Sequence, residues 1–339
     1  MLKIRKILFP FAFIYGLITF VRNVLYDIKI LKSHVFNVPT IAVGNLSVGG
    51  TGKSPQVEYL IKLLSANYQV ATLSRGYKRS TSGFVLANDK ATAKIIGDEP
   101  FQFYSKFPKT IVAVDEKRAE GIELLMNLDK KPDVIILDDA FQHRSVKAGF
   151  YILLTAYNDL FCDDFMLPSG NLREFEAGKK RSDVVVVTKC PSNLDEASQK
   201  RIISRLKVSV PVYFTSIFYD DFVYNQDDKS IPIEEIINSE KIVVAGIANP
   251  EPFFKFLSAK KTETITFSDH HSFDTKDLQL IINKAAGKKI ITTEKDFVRL
   301  KNKVPKEQLY YLPIQTKFLN NSEDFDQMIT AYVQQSLSQ

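Results

Sequence analysis

The segment VPTIAVGNLSVGGTGKSPQVEYLIKLL, residues 38–64, constrains the fold of this chain more than any other feature. Its first part, Val38–Val43, is short, apolar and partly β-branched, which predicts a buried strand. Its last part has the apolar periodicity of a helix, carried by Val57, Leu60, Ile61 and Leu64. The glycine-rich turn therefore joins a strand to a helix, where backbone N–H groups and the helix dipole favour an anion.

The turn has most of the features of a phosphate-binding loop, although Ser47 stands where the usual pattern has its first glycine. The three later glycines leave the backbone free to wrap closely around phosphates. Lys53 would reach the β- and γ-phosphates, and Ser54 would offer its hydroxyl to Mg²⁺. The predicted nucleotide-binding residues are Ser47, Val48, Gly49, Gly50, Thr51, Gly52, Lys53 and Ser54.

An acidic partner for this loop is present in KPDVIILDDAFQHR, residues 131–144. The apolar run Val134–Leu137 predicts a buried parallel strand, and Asp138 and Asp139 stand at its carboxyl end, where ligands bind in such sheets. Adjacent carboxylates repel one another unless a cation lies beside them. The pair therefore predicts a Mg²⁺ site opposite the loop, rather than two solvated aspartates.

Further apolar runs alternate with helical patterns along the chain, which predicts an α/β fold of the P-loop NTPase type, with a mostly parallel sheet and helices on both faces. After residue 209 the amino-acid composition changes. A stretch rich in β-branched and aromatic residues comes first, and a smaller α/β unit follows it. The expected divisions are 1–33, an amphipathic membrane-associated region; 34–209, the core that contains the phosphate-binding loop; 210–225, a β-ribbon hinge; and 226–339, the smaller unit with a terminal helix of unassigned packing.

The amino-terminal region carries most of the excess charge. Residues 1–33 hold six Lys or Arg against one Asp, or 6 − 1 = +5 of the net +6 of the chain, so the remainder is close to balanced and a nucleic-acid-binding body is not indicated. The apolar run 7–21 is short for a bilayer span. An interfacial helix is favoured, and a single-span anchor and a buried core helix are the alternatives.

A set of motifs, in order along most of the chain, resembles the tetraacyldisaccharide 4′-kinases of lipid A biosynthesis. The loop alone would be weak evidence, but the combination is specific, and Ser47 is compatible with the version of the loop in that family. The motifs are VGNLSVGGTGKSP (43–55), LSRGYKR (73–79), GDEP (97–100), DDAFQHR (138–144), LPSGNLRE (167–174), FSDHH (267–271) and TTEKD (292–296).

The resemblance implies transfer of the γ-phosphate of ATP, with Mg²⁺, to the 4′-hydroxyl of an acylated disaccharide 1-phosphate. That substrate lies in the inner leaflet of the bacterial inner membrane, so the protein is expected at the cytoplasmic face of that membrane. A monomer is also expected. The basic amino-terminal region suits such a location, because cations favour anionic headgroups. The resemblance also implies roles for single residues.

Asp98 resembles the base that acts on the sugar hydroxyl, with His270 as its partner, while Asp139 remains an alternative base. Arg118 is expected near the transferring group, because a guanidinium grips phosphate in a bidentate manner. The expected metal ligands are Ser54, Asp138 and Glu99. The expected substrate-binding residues are Asn45, Arg75, Gln142, His143, Arg173 and Glu174. For the arginines a solvated charge or an ion pair, and for Gln142 and His143 the capping of a strand end, are the plainer alternatives.

Two other classes of protein share the loop and the acidic pair: a regulatory nucleotide switch or metallochaperone-type NTPase, and an ATP-using ligase. Lys189 is followed by Cys190 and Pro191 instead of the Lys-x-Asp pattern of guanine-specific proteins, which favours ATP over GTP. Val48 stands where dimerising partition-type ATPases have a lysine. An amphipathic basic terminus would have no purpose in either rival class.

Overall fold

The computed structural model describes residues 7–227, 229–259, 262–269 and 271–338. The chain divides into two compact units, each with its own sheet. The first consists of Met1–Ile217 and Thr316–Gln339, and the second of Phe218–Gln315.

The first unit is built on a nine-stranded sheet of order β15-β8-β7-β6-β1-β5-β2-β4-β3. Pairings among β1, β2, β4, β5, β6, β7 and β8 are parallel, and the short β3 pairs antiparallel with β4. The predicted mostly parallel sheet is therefore confirmed. Its strands, numbered in chain order, are β1 Thr40–Asn45, β2 Val70–Ser74, β3 Val85–Leu86, β4 Ile111–Val114, β5 Val134–Asp138, β6 Phe150–Ala156, β7 Val184–Thr188, β8 Val212–Tyr219 and β15 Ile314–Phe318.

Helices cover both faces of this sheet, because side chains alternate between the faces along each strand. Ile41 and Val43 of β1 pack with the helices α2 and α11 on one face, and Ala42 faces the cluster that contains α5 on the other. The helices of this unit are α1 Phe9–Asp27, α2 Lys53–Leu64, α3 Ala93–Ile96, α4 Asp98–Lys106, α5 Arg118–Met126, α6 Glu196–Leu206 and α11 Ser322–Leu337, with 3₁₀ turns at Phe161–Asp163 and Glu176–Arg181.

The parallel register brings the chemically important segments to one edge. Val43 of β1 is paired with Asp138 of β5, and Leu73 of β2 is paired with Leu137. The glycine-rich loop after β1 and the acidic pair after β5 therefore begin side by side at the carboxyl ends of neighbouring strands, which is where open α/β sheets bind ligands.

Helix α1 lies largely outside the core: of its 19 residues only Ala12 and Gly16 are buried. By length and composition it is able to cross a membrane, a weak criterion by itself. The buried core helix, one of three interpretations of this region, is therefore wrong. Large apolar side chains point outward along it, namely Phe9, Phe11, Phe13, Ile14, Leu17, Ile18, Phe20 and Val21.

The second unit has a six-stranded sheet of order β10-β9-β14-β13-β11-β12. One face packs on α9 and α10 through Ile281 and Leu300, and the other on α7 and α8 through Ile236 and Leu257. The elements are β9 Phe222–Tyr224, β10 Ser230–Pro232, α7 Ile233–Asn238, β11 Lys241–Ala245, α8 Glu251–Leu257, β12 Thr262–Thr266, α9 Thr275–Ala285, β13 Lys289–Thr293, α10 Glu294–Leu300 and β14 Leu309–Leu312.

The segment 210–225 differs from the predicted ribbon. It contains β8, which pairs with β7 in the first sheet, and β9, which pairs with β10 and β14 in the second. Apolar and β-branched composition predicts strands here, but composition does not specify which strand will pair with which. A hinge function for this segment stays a prediction.

The terminal helix α11, whose packing the sequence leaves unassigned, belongs to the first unit. Phe325 is fully buried there, and its ring lies 5.3 Å from Tyr213 and 4.6 Å from Phe318, centroid to centroid. Ile329 and Val333 continue the same buried stripe. The helix thus contributes to the main core although it follows the second unit in sequence.

We expect Phe325→Ala to lower the free energy of unfolding of the first unit by about 3 to 4 kcal/mol, because it leaves a cavity among three aromatic rings. Urea unfolding followed by circular dichroism measures this change. Leu337→Ala is the control, since that side chain is 47% exposed at the end of the same helix. Equal effects of the two substitutions would contradict the packing described.

Candidate active site

The glycine-rich loop adopts a conformation in which position 47 has no need of glycine. Ser47 is buried and forms an antiparallel bridge with Leu172, and the Val48 N–H donates to the Asn171 carbonyl at 2.8 Å. Positive φ angles occur only later in the loop, at Gly49 (110°) and Gly52 (81°). Glycine is thus present where the left-handed region demands it.

Hydrogen bonds from the end of β1 and from the end of β7 stabilise the glycine-rich loop. The Asn45 amide donates to the Thr51 hydroxyl at 2.8 Å, and the Thr188 hydroxyl donates to the Thr51 carbonyl at 2.8 Å. The Lys189 ammonium donates to the Gly50 carbonyl. The sequence analysis did not identify Thr188 or Lys189 as supports of the loop. Their position at the carboxyl end of β7, which is next but one to β1 in the sheet, was the available signal.

Lys53, Asp139 and Arg173 form a charged group at the mouth of the loop. The Lys53 ammonium lies 3.6 Å from Asp139 Oδ1, and the Arg173 guanidinium donates to both oxygens of that carboxylate at 2.9 and 3.3 Å. Arg173 also donates to Asn45 Oδ1. Burial alone would raise the pKa of Asp139, but the charges of Lys53 and Arg173 outweigh it and hold this pKa well below its usual range.

Asp139 has a backbone φ of 48°, an uncommon value for a residue with a side chain. Aspartate tolerates this region better than most residues, and strained conformations occur often at functional sites. The turn directs the Asp139 carboxylate toward Lys53, while the preceding carboxylate of Asp138 stays inside the strand end.

Asp138 is 3% exposed, and both acidic and basic side chains lie near it. Burial, followed by the nearby Glu99 and Asp139 carboxylates, raises its pKa to about 7. Its Oδ2 is 3.3 Å from the Ser74 hydroxyl, whereas its Oδ1 is buried without a hydrogen-bond partner in the described structure. A buried carboxylate oxygen without a partner requires an explanation, because native structures satisfy nearly all such groups.

The residues near this oxygen fit a magnesium ion. Ser54 donates to Glu99 Oε1 at 2.9 Å, so hydroxyl and carboxylate ligands already lie together at the start of α2. Mg²⁺ prefers oxygen ligands and is usually held by one or two carboxylates together with substrate phosphates. In the part of the chain that the structure describes, no cluster of three or more His, Cys, Asp or Glu forms a ready metal cage.

Arg118 is fully buried, and its guanidinium donates to the carbonyls of Asp115 and, at 3.2 Å, Asp138. It thereby ties the ends of β4 and β5 together. Burial lowers the pKa of Arg118 to about 10, and the Asp138 and Asp139 charges partly offset this effect. The predicted role near the transferring group stays a prediction.

Asp98 begins α4 directly after Gly97, which has a φ of 93°. Because Gly97 has no side chain, it is able to lie close to the backbone of Gly76. A Cβ at position 97 would lie 3.2 Å from the Gly76 Cα. The motif LSRGYKR after β2 and the motif GDEP are therefore neighbours, and Asp98 and Glu99 occupy the first turn of one helix. Through Ser54, Glu99 joins this turn to the phosphate-binding loop.

Gln142 and Glu174 form a buried polar link behind the loop. The Gln142 amide donates to the Asn45 carbonyl at 2.7 Å and to Glu174 Oε1 at 2.9 Å. Arg181 donates to both Glu174 oxygens at 2.8 Å. The sequence analysis did not identify Arg181, although a buried carboxylate such as that of Glu174 needs a cation beside it.

His143 and Arg75 lie near the same edge. Burial, together with the charges of Arg118 and Arg75, lowers the pKa of His143 to about 4, so the imidazole is neutral at pH 7. Arg75 is exposed directly after β2. A neutral imidazole is able to donate one hydrogen bond and accept another without adding charge.

We expect the free energy of unfolding to fall as the pH drops from about 6.5 toward 4, because His143 is then protonated in the unfolded chain but still neutral in the folded chain. Above about pH 6.5 His143 is neutral in both the folded and the unfolded chain, so its titration does not lower the free energy of unfolding there. Between pH 7 and 5 wild type should lose about 2 kcal/mol more than His143→Gln. Urea unfolding at each pH measures the difference. His34→Gln, at an exposed histidine, is the control and should show the wild-type slope.

The structure brings together most of the predicted site residues of the first unit: the loop, the acidic pair, Arg118, Gln142, and Arg173 with Glu174. His270, the predicted partner of the base, lies outside the described residues.

Comparison with known proteins assigns the chain to a family. The family model for tetraacyldisaccharide-1-P 4′-kinase matches residues 4–334. A tetraacyldisaccharide 4′-kinase of Flavobacterium johnsoniae is 58% identical over 98% of both chains, and one of Bacteroides thetaiotaomicron is 45% identical over 99% of this chain and 95% of its own. The crystal structure of an "apo" form of LpxK from Aquifex aeolicus in complex with ATP is similar, with a TM-score of 0.79 and 30% identity over 97% of this chain and 99% of that one. The chain therefore belongs to the tetraacyldisaccharide-1-P 4′-kinase family.

Proposed function

We propose that the chain transfers the γ-phosphate of ATP to the 4′-hydroxyl of a tetraacyldisaccharide 1-phosphate, a step of lipid A biosynthesis. The observation that carries this proposal is the placement of Lys53 3.6 Å from Asp139, beside the buried Asp138, in a chain of the tetraacyldisaccharide-1-P 4′-kinase family. A lysine of the loop beside acids at a strand end suits phosphoryl transfer, which depends mainly on positioning and charge.

In this proposal the loop Ser47–Ser54 binds the phosphates through its backbone N–H groups, and Lys53 neutralises charge on the transferring group. Asp139 orients Lys53 and Arg173, which already share its carboxylate. Ser54, Asp138 and Glu99 would hold Mg²⁺, which supplies charge neutralisation at the phosphates. Arg118 stabilises the strand ends that present these groups.

Asp98 is proposed as the base that takes the proton of the sugar hydroxyl. The competing candidate, Asp139, is held ionised by two cations, and a carboxylate with so low a pKa is a weak base near neutral pH. His270 enters the proposal on sequence grounds alone, as the group that assists the base. Arg75, Gln142, His143 and Arg173 are proposed to line the substrate side, and the buried Asn45 and Glu174 to hold Arg173 and Gln142 in place.

The exposed apolar residues of α1 and the basic charges of residues 1–33 support binding to the inner membrane at its cytoplasmic face. A lipid substrate with several acyl chains is confined to such a surface, so an enzyme that partitions to it meets the substrate at high local concentration. An interfacial helix accounts for the exposed side chains and the flanking cations together. The chain is proposed to act as a monomer.

The test is incubation of the purified protein with ATP labelled at the γ-phosphate, Mg²⁺ and total bacterial lipid. Label in a chloroform-soluble glycolipid, lost when Mg²⁺ is chelated, supports the proposed kinase. Label only in free phosphate would contradict the kinase. It would indicate a nucleotide switch if the release needs no second substrate, and a ligase if the release depends on an added carboxylic acid and its nucleophile, because a ligase expels the phosphate when the new bond forms.

A further inference from the structure

Helix α1 has a second face, opposite the exposed apolar one, that contacts the active-site loops. Tyr15, Gly16, Thr19 and Asn23 recur at helical spacing on this face. The neighbouring segments are residues 142–144, which follow the acidic pair, and residues 173–175. The latter follow directly after the residues that bond to Ser47 and Val48 of the phosphate-binding loop. Hydrogen bonds join the helix to both segments.

The first contact reaches the segment that carries Arg173. The Tyr15 hydroxyl donates to the Arg173 carbonyl at 3.1 Å. Gly16 faces the Phe175 ring so closely that a Cβ would lie 2.7 Å from its Cζ, and the Phe20 ring meets Phe175 edge-on at 6.4 Å. The helix therefore holds the backbone of the residue whose guanidinium grips Asp139.

The second contact reaches the buried carboxylate of Glu174. Asn23 Nδ2 donates to Glu174 Oε2 at 2.9 Å, which completes the set of donors supplied by Arg181 and Gln142. Glu174 is 3% exposed, so loss of one donor leaves a buried lone pair unsatisfied. Gln142 carries the link onward, because the same amide group also donates to the Asn45 carbonyl.

Two arginines, one on the helix and one on the segment 142–144, join the helix to that segment by hydrogen bonds. Arg22 donates to the Gln142 carbonyl at 3.3 Å, and Arg144 donates to the Asn23 carbonyl at 2.8 Å and to Asp27 at 2.6 Å. The helix is thus bonded to both segments that frame Asn45 and Asp139. A chain of contacts runs from Asn23 through Glu174 and Gln142 to the phosphate-binding loop.

We propose that Tyr15 and Asn23 are positioning residues for phosphoryl transfer, so that helix α1 supports the segments that hold the nucleotide site as well as serving as an anchor. The proposal rests on the proposed kinase function. Asn23 acts through Glu174 and Gln142 on Asn45, and Tyr15 acts through the Arg173 backbone on Asp139. Misplacement of the groups around the transferring phosphate slows the chemical step, because transfer depends on geometry.

The test is steady-state transfer to lipid in detergent micelles, where anchoring to a bilayer does not limit the rate. We expect Asn23→Ala to lower kcat about tenfold and Tyr15→Phe about threefold, with the KM for ATP within about twofold of wild type. Tyr26→Phe is the matched control on the same helix. Its ring packs against Arg22 and Arg144, but its hydroxyl makes none of the described hydrogen bonds, so kcat should be unchanged.

A second measurement separates positioning from general damage. In a Glu174→Gln background, adding Asn23→Ala should lower kcat less than twofold further, because the two residues act through one link. Multiplied losses, or wild-type kcat in both Asn23→Ala and Tyr15→Phe, would overturn the proposal. If Asn23→Ala fails to fold, Tyr15→Phe still decides. No lipid phosphorylation by wild type would refute the proposed function instead.

Co-sedimentation with vesicles of phosphatidylethanolamine and phosphatidylglycerol checks the anchor itself. Asn23→Ala should bind these vesicles as wild type does, since the side chain lies on the face away from the exposed apolar residues. A loss of vesicle binding that matches the loss of kcat would mean that Asn23 serves the anchor alone, and would also overturn the proposal.

Discussion

Lys53→Met is expected to lower lipid phosphorylation about a thousandfold. Lys53 is the cation of the loop nearest to the acidic pair, 3.6 Å from Asp139, and charge placed in advance at the transferring phosphate contributes on this scale. Methionine keeps the length and packing of the side chain and removes only the charge. Asp139 retains its pair with Arg173, so the fold should persist.

The measurement is label transfer to the glycolipid, together with ATP affinity by calorimetry. Lys62→Met is the matched control, because Lys62 is an exposed lysine on the same helix α2, and its transfer rate should stay at the wild-type value. Activity of Lys53→Met within tenfold of wild type would refute the assignment of the loop as the site of phosphate binding.

Asp98→Asn is expected to lower kcat about a thousandfold while ATP binds with wild-type affinity. A general base contributes roughly two to four orders of magnitude, and an amide of the same shape cannot take the hydroxyl proton. Asp139→Asn is expected to act differently. It removes the anion that Lys53 and Arg173 share, so ATP affinity should change and kcat should fall by a smaller factor.

Single-turnover transfer and separately measured ATP binding distinguish the two carboxylates. Asp129→Asn, at an exposed residue between α5 and β5, is the control for an isosteric loss of charge. The assignment of the base is wrong if Asp139→Asn binds ATP normally yet transfers nothing, while Asp98→Asn remains active.

Local sequence predicts the parts of the site that single segments build. Strand, loop and helix at residues 38–64 were recognisable because apolar period and glycine content are local properties. The acidic pair was recognisable because an apolar run ended in two carboxylates. Only the sheet register shows that these two segments are adjacent, with Val43 beside Asp138.

Sequence reasoning missed groups whose role depends on contacts between distant segments. Arg181 gave no signal of its own, yet it neutralises Glu174. Lys189 was considered only for base specificity, whereas in the structure it bonds the Gly50 carbonyl. In each case the partner lies in a different segment, and no periodicity or spacing encodes that pairing.

The class of fold, the loop that can bind phosphates, the acids opposite it and the family resemblance were readable from the amino-acid sequence, because they depend on local pattern and on ordered motifs. The folded chain was needed to show that β8 and β9 join different sheets, that α11 packs in the first core and that α1 contacts the loops of the site. Burial and long-range hydrogen bonds choose among patterns that are locally equivalent, and they form only when distant segments meet.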